Sequence, residues 1–189
     1  MQTFLYFAYG SNVLTERLQT RCRSARVHGL AVATGYSLEF IKRSKDKSGK
    51  ATLVNSTQPG QQVFGVLFEI ENGHRSALDK AEGKGSGYDR IDDFIVNMLP
   101  DMTQAQVTTY LASCSAVDDG LKPYDWYLAL VIAGALQHNL PQTRIARLRK
   151  ADYIEDPVST RKERVEAEKA LKIAGWPDYK QILSPSHMD

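Results

Sequence analysis

The chain has few of the features that mark metal-binding, disulfide-rich, nucleic-acid-binding or membrane proteins. Its two cysteines, Cys22 and Cys114, lie far apart with no Cys/His spacing, which argues against a zinc site or a disulfide framework and predicts buried, reduced thiols. The net charge of +2 is too small to indicate nucleic acid or an anionic membrane as a partner. The longest apolar stretch, residues 128–136, is too short to span a bilayer. With no secretory signal pattern at the N-terminus, these features predict a cytoplasmic protein.

The sequence also lacks Pro/Gly/Ser-rich linkers, internal repeats and low-complexity tracts, which predicts one domain. Partial alternation of β-branched and aromatic residues predicts strands at 3–9, 30–41, 63–70, 94–99 and 106–112. The last two are close enough to pair antiparallel across a turn at Pro100-Asp101. Helices are predicted after a Gly-Ser-Asn turn at 10–12, at 72–81 and at 123–139. This pattern favours an α+β domain built around a mixed, barrel-like sheet.

The C-terminal part predicts one further helix, at residues 160–174. Thr160 and Glu163 stand at capping-box spacing before it, and Gly175 would end it. Its apolar stripe is weak, so a solvated surface helix is the simpler interpretation, and packing on the body or on another subunit stays open. The last six residues, SPSHMD, are expected to be frayed.

The most informative segment is YFAYGSN, residues 6–12. A strand that stops at Gly10 and turns directly into a helix leaves several backbone N–H groups without partners. The amides of Gly10, Ser11 and Asn12, with the positive end of the helix dipole behind them, would hold a carboxylate. Within this segment alone, helix capping by Ser11 or Asn12 is the simpler use.

This segment resembles the opening of the gamma-glutamylcyclotransferase family, whose members carry a YFAYGSN-type stretch, often continued by a TER triplet as at residues 15–17. Two further stretches match in order, LDKAEGKGSGY at 78–88 and YLALVIAGALQHNLP at 127–141. The resemblance implies the family's fold, a small mixed β-barrel flanked by helices. It ends near Ile154, so we predict a gamma-glutamylcyclotransferase-like domain at 1–154 and a C-terminal helical extension of that domain at 155–189.

The resemblance also implies the site. The family's catalytic glutamate falls on Glu82, and its substrate-contacting tyrosine falls on Tyr127, which composition alone would place in the core. The other substrate-binding residues would be those of the first motif: Tyr6, Phe7, Ala8, Tyr9, Gly10, Ser11 and Asn12. The implied reaction is intramolecular aminolysis. The α-amine of a γ-glutamyl group attacks its own γ-carbonyl, giving 5-oxoproline and a free amine, with no cofactor and no metal.

In that reaction Glu82 would act first as a base and then as an acid. A glutamate suits this role if its pKa is raised towards neutrality, which burial or a nearby negative charge would do. Asp79 is one candidate for that charge. Asp79 could equally cap the helix or pair with Lys80 or Arg75. The amides of residues 9–12 would hold either the developing oxyanion or the substrate's α-carboxylate. The glycines of residues 83–87 predict a mobile loop that approaches a ligand closely.

Several alternatives stay open at this stage. Asn12 favours γ-glutamyl amino acids over glutathione or γ-glutamylamines, because the branches that act on those tend to carry Leu at this position. Outside the enzyme class, the chain could be a binding module without turnover, or an interaction protein working through its C-terminal helix. Removing the residues after Ile154 would separate these classes.

The basic run 42–50 predicts a solvated hairpin tip rather than a phosphate site. The partner expected is a small γ-glutamyl molecule, and a homodimer stays open.

Overall fold

The computed structural model describes residues 2–184. Its strands are β1 (Thr3–Ala8), β2 (Arg26–Thr34), β3 (Tyr36–Arg43), β4 (Gly49–Asn55), β5 (Gln62–Glu71), β6 (Tyr88–Met98) and β7 (Thr103–Ala112). Its α-helices are α1 (Thr15–Arg21), α2 (Arg75–Glu82), α3 (Asp125–Gln137), α4 (Gln142–Arg149), α5 (Lys162–Ile173) and α6 (Lys180–Leu183). Residues 185–189, which hold most of the tail predicted to be frayed, lie outside this range.

Five strands form a closed barrel in the order β1-β5-β2-β6-β7. Neighbouring strands are antiparallel except β1 and β7, which close the barrel in parallel through the pairing of Tyr6 with Thr108. Strands β6 and β7 pair across the predicted turn, with Met98 opposite Thr103. The fold class predicted from the sequence, a small mixed barrel with flanking helices, is therefore confirmed.

The strand predicted at residues 30–41 is in fact two strands. Gly35 has φ +84°, a left-handed conformation that glycine adopts without strain, and it turns the chain out of the barrel. The second piece, β3, pairs with β4 in a separate two-stranded sheet. Strand β4 was not predicted, because its first residues belong to the basic run 42–50, which predicts a turn.

Helix α3 is the centre of the helical layer. All of residues 125–135 are buried, as expected for a helix that is apolar on every side. It packs against the 3₁₀ turn Ser11–Val13 and against α4, α5 and α6. Gly134 makes the first contact possible, because a Cβ there would lie 2.4 Å from the Leu14 nitrogen. Helix α4 was not predicted, since its polar sequence QTRIARLR has only a narrow buried face.

The C-terminal helix forms where the sequence predicts it, but its environment differs. No side-chain cap bonds its first turn, so the predicted capping box is absent. Ala167, Ala170 and Leu171 are buried against the body, through contacts with α1 and α3. The helix therefore packs on the body, which the sequence left open, and is not fully solvated, because small side chains let it approach closely without a strong apolar stripe.

The cysteines also differ in part from expectation. Both are free thiols; Cys22 is buried as predicted, whereas Cys114 is exposed in a 3₁₀ turn after β7. Among the helices of residues 2–184, none combines the length and the apolar character needed to cross a bilayer.

Candidate active site

Seven of the nine predicted site residues line one cavity of about 20 Å³ beyond the end of β1. We call it the inner cavity; its lining comprises Tyr6, Tyr9, Gly10, Ser11, Asn12, Glu82 and Tyr127, together with Ala51, Tyr88 and Tyr110. Phe7 and Ala8 do not line it, which corrects the prediction for these two. Phe7 is fully buried in the core, where its ring stacks 6.2 Å from that of Phe94.

Glu82 is the last residue of α2, and its carboxylate points back at the motif. Asn12 Nδ2 donates to Glu82 Oε1 over 2.6 Å, and Arg21 Nη1 donates to the same oxygen over 2.8 Å. Arg21 Nη1 also donates to Asn12 Oδ1 over 2.8 Å, and Asn12 Nδ2 to the Tyr6 hydroxyl over 3.0 Å. The Glu82 side chain is only 14% exposed. Its carboxylate is therefore fixed in direction and partly shielded from water.

Asp79 does not supply the negative neighbour that the sequence suggested for Glu82. Its carboxylate accepts from Arg90 Nη1 and from the Tyr110 hydroxyl, both over 2.7 Å. The predicted partners Lys80 and Arg75 do not bond it either, and Arg75 pairs with Asp92 instead. The charge closest to Glu82 is thus the Arg21 guanidinium, and Asp79 helps to position Tyr110, whose ring contacts that of Tyr6.

The backbone at residues 10–12 provides free donors. The N–H groups of Gly10, Ser11 and Asn12 have no acceptor within residues 2–184. Neither Ser11 nor Asn12 caps a helix; Ser11 Oγ accepts from Arg17 Nε over 3.2 Å instead. A Cβ on Gly10 would lie 3.1 Å from Ala51 Cβ, so glycine keeps the corner close to β4. Free amides at such a corner are suited to an anionic oxygen.

Tyrosine hydroxyls form the opposite wall. Tyr127 accepts a hydrogen bond from the Ala51 amide over 3.0 Å, so its own proton remains available for donation into the cavity. Tyr88 donates to the Ala51 carbonyl over 2.6 Å, and Tyr9 donates to the Tyr110 carbonyl. Burial raises the pKa of Tyr127 and of Tyr88, so both hydroxyls stay protonated and serve as donors.

The inner cavity opens into a larger space of about 750 Å³, here called the outer cleft. The two share Ser11, Glu82, Tyr88 and Tyr127. Residues 42–46 and Lys50 of the predicted hairpin tip line this cleft, and Lys42 is buried, so the tip is not simply solvated. Opposite lie residues 83–87, where Gly83, Gly85 and Gly87 all have positive φ. The mobility of that loop stays a prediction.

Four further residues shape this site and were not predicted from the sequence: Arg21, Ala51, Tyr88 and Tyr110. Tyr88 ends the second matching stretch, so its position was a usable signal. Arg21 and Ala51 reach the site only through folding, since Arg21 bonds a glutamate 61 positions away and Ala51 bonds a tyrosine 76 positions away.

Known proteins resemble this chain in both sequence and structure. Residues 62–148 match the AIG2-like family. The chain is 32% identical to the gamma-glutamylcyclotransferase of Bos taurus, over 80% of this chain and 82% of the bovine protein. It is 30% identical to the gamma-glutamylcyclotransferase of Homo sapiens, with the same two coverages. A solved structure of a gamma-glutamyl cyclotransferase superposes with a TM-score of 0.78 and 28% identity, over 89% of this chain and 99% of that one.

The solved structure agrees with the barrel and its flanking helices. At this identity and coverage, the chain belongs to the gamma-glutamylcyclotransferase family.

Proposed function

We propose that this chain is a gamma-glutamylcyclotransferase that converts a γ-glutamyl amino acid to 5-oxoproline and a free amino acid. The proposal rests on one observation. The Glu82 carboxylate and the unpaired amides of residues 10–12 line the same cavity. Family membership supports the reaction type. The individual roles given below are part of the proposal.

The main task of the protein is to hold the glutamyl chain bent, so that its α-nitrogen reaches its own γ-carbonyl. Alignment of this kind lowers a barrier by about 7 kcal/mol or more for well-oriented groups. The amides of Gly10, Ser11 and Asn12 and the Tyr127 hydroxyl supply fixed donors for substrate oxygen atoms. Both the α-carboxylate and the oxyanion that develops on the γ-carbonyl match such donors.

Glu82 moves the protons. The α-ammonium must lose a proton before its nitrogen can attack, and Glu82 accepts it. The α-amine attacks the γ-carbonyl carbon and closes the five-membered ring as a tetrahedral intermediate. Glu82 returns its proton to the leaving nitrogen as the γ-carbonyl re-forms and the bond to that nitrogen breaks. Glu82 then takes the second proton from the ring nitrogen and passes it to the released amine, so two protons in all move from the α-nitrogen to that amine. Asn12 and Arg21 hold the carboxylate in line for both transfers.

A blocked substrate tests the reaction type. The purified protein should release 5-oxoproline and alanine in equal amounts from γ-glutamyl-L-alanine. It should release no alanine from the N-acetyl derivative, because an acetylated α-nitrogen cannot close the ring. Chromatography of the products measures both. Alanine released from the acetylated compound, or glutamate in place of 5-oxoproline, would indicate a hydrolase and contradict the proposal.

We also propose that the protein resides in the cytoplasm. The support is the pair of unpaired cysteines, since free thiols are typical of reducing compartments.

A further inference from the structure

We propose that Arg17 and Lys42 form a carboxylate-binding subsite in the outer cleft, which takes the carboxylate of the amino acid that is released. This inference rests on the proposed function and adds a specificity determinant to it.

The first observation is that both cations are buried without an acidic partner. Arg17 is 8% exposed and Lys42 is 9% exposed. Within the described part of the chain, no carboxylate oxygen lies within 4 Å of either side chain's nitrogens. The neighbouring cations differ in this respect: Arg21 pairs with Glu82 over 2.8 Å, and Lys50 pairs with Asp46 over 2.9 Å.

Burying a charge without a partner costs several kcal/mol, so two such groups in one cleft need an explanation. Both line the outer cleft, where a bound anion would compensate their charge. Burial lowers the pKa of Arg17 to about 9, which still leaves the guanidinium charged at neutral pH. Burial also lowers the pKa of Lys42. A substrate carboxylate bound beside the Lys42 ammonium would raise that pKa again.

The second observation is where these cations stand relative to the inner cavity. Arg17 Nε donates to Ser11 Oγ over 3.2 Å, and Lys42 Nζ lies 4.6 Å from the centre of the Tyr88 ring. Ser11 and Tyr88 line both spaces. Each cation therefore lies one residue away from the cavity that contains Glu82. A γ-glutamyl group held at Glu82 would direct its leaving group towards them.

The side chain of Lys42 is also held in place. A Cβ on Gly87 would lie 2.9 Å from Lys42 Nζ and 2.7 Å from its Cε, so this glycine leaves room for the ammonium beside the backbone. The ring of Tyr88 supports it from another side. A cation fixed in this way loses little side-chain entropy when it binds an anion, which favours selectivity.

Two isosteric substrates test the subsite without any mutation. γ-Glutamyl-L-alanine carries the carboxylate, whereas γ-glutamyl-L-alaninamide replaces it with a neutral amide of the same shape. We expect kcat/KM for the first to exceed that for the second by about tenfold or more, which corresponds to about 1.4 kcal/mol. Equal values for the two substrates would overturn the subsite and leave the cyclotransferase function intact. No turnover of either substrate would overturn the proposed function itself.

Variants then locate the effect. Lys42→Met should lower kcat/KM for the alanine substrate by about tenfold and change that for the alaninamide substrate by less than about threefold. Lys42→Arg should keep the preference. Lys47→Met is the matched control, since it removes the same charge from an exposed position of the same turn that does not line the cleft. Equal losses on both substrates in a folded Lys42→Met variant would contradict the assignment.

Discussion

At the scale of single residues, Asn12 organises the site more than the motif alone suggests. It donates to Tyr6 and Glu82 and accepts from Arg21, so one side-chain amide joins β1, α1 and α2. A leucine at this position would make none of these bonds. Asn12 therefore fixes the direction of the Glu82 carboxylate.

Asn12→Ala tests this positioning role. Without the amide, Glu82 keeps only Arg21 as a side-chain partner, so we expect kcat to fall by about tenfold to a hundredfold while KM changes little. Steady-state kinetics with γ-glutamyl-L-alanine separates the two constants. Asn97→Ala, which removes an amide from the far part of β6, is the control and should keep both. A folded Asn12→Ala variant with unchanged kcat would exclude the role.

The residues predicted here came from contiguous motifs, and most of those missed, Tyr88 excepted, reach the site through tertiary packing. Glu82, Tyr127 and Gly10 lie within matching stretches, so their placement at one cavity could be anticipated. The charged run that begins at Lys42 predicts a solvated side chain. Only the folding of the β3–β4 hairpin against residues 83–87 buries it, and no local pattern reports that contact.

At the scale of elements, the fold positions the site through close contacts between α3 and the motif. Gly134 is the position where α3 touches the 3₁₀ turn, and a side chain there would collide with Val13 and Leu14. The helix itself was predicted from its apolar sequence, whereas this contact was not. One continuous strand was predicted at 30–41 because Gly35 lies within an alternating pattern, although it turns the chain. Strand β4 was not predicted because its first residues belong to the basic run 42–50, which predicts a turn.

The connection between α3 and α5 gives a pH-dependent prediction. Asp156 accepts from Trp126 Nε1 over 2.9 Å and from Arg161 Nε over 2.6 Å. Burial raises the pKa of Asp156, but hydrogen bonds from Arg161, the Val158 amide and Trp126 outweigh it and lower that pKa to about 2. The folded pKa lies below the unfolded value of 3.8, so this stabilisation is present above about pH 4 and is lost as pH falls towards 2.

We therefore expect Asp156→Asn to lower the free energy of unfolding by about 2 kcal/mol at pH 7. The difference from the parent should shrink as pH is lowered from 5 towards 2. Urea unfolding followed by circular dichroism measures both. Asp119→Asn, at an exposed position, should match the parent throughout. A difference that is constant with pH would show that the Asp156 charge is not what stabilises the connection.

At the scale of the whole molecule, the C-terminal segment is part of the packed body. The Tyr179 hydroxyl donates to the buried Asp125 over 2.8 Å, and Leu171 and Ile182 are buried. Removing the residues after Ile154 would expose this apolar surface, so that truncation does not separate an enzyme from an interaction protein. Substitutions that leave the fold intact are the better test.

The most direct test of the account is 5-oxoproline release from γ-glutamyl-L-alanine by Glu82→Gln beside the parent. Glutamine keeps the shape of the side chain but cannot carry a proton between the two nitrogens. Glu69→Gln makes the same change on the exposed face of β5 and should behave as the parent. We predict that Glu82→Gln unfolds at nearly the parent's temperature. We also predict that it releases 5-oxoproline at about one hundredth of the parent's rate or lower. Release within a few-fold of the parent would contradict the assignment of Glu82 as the proton carrier.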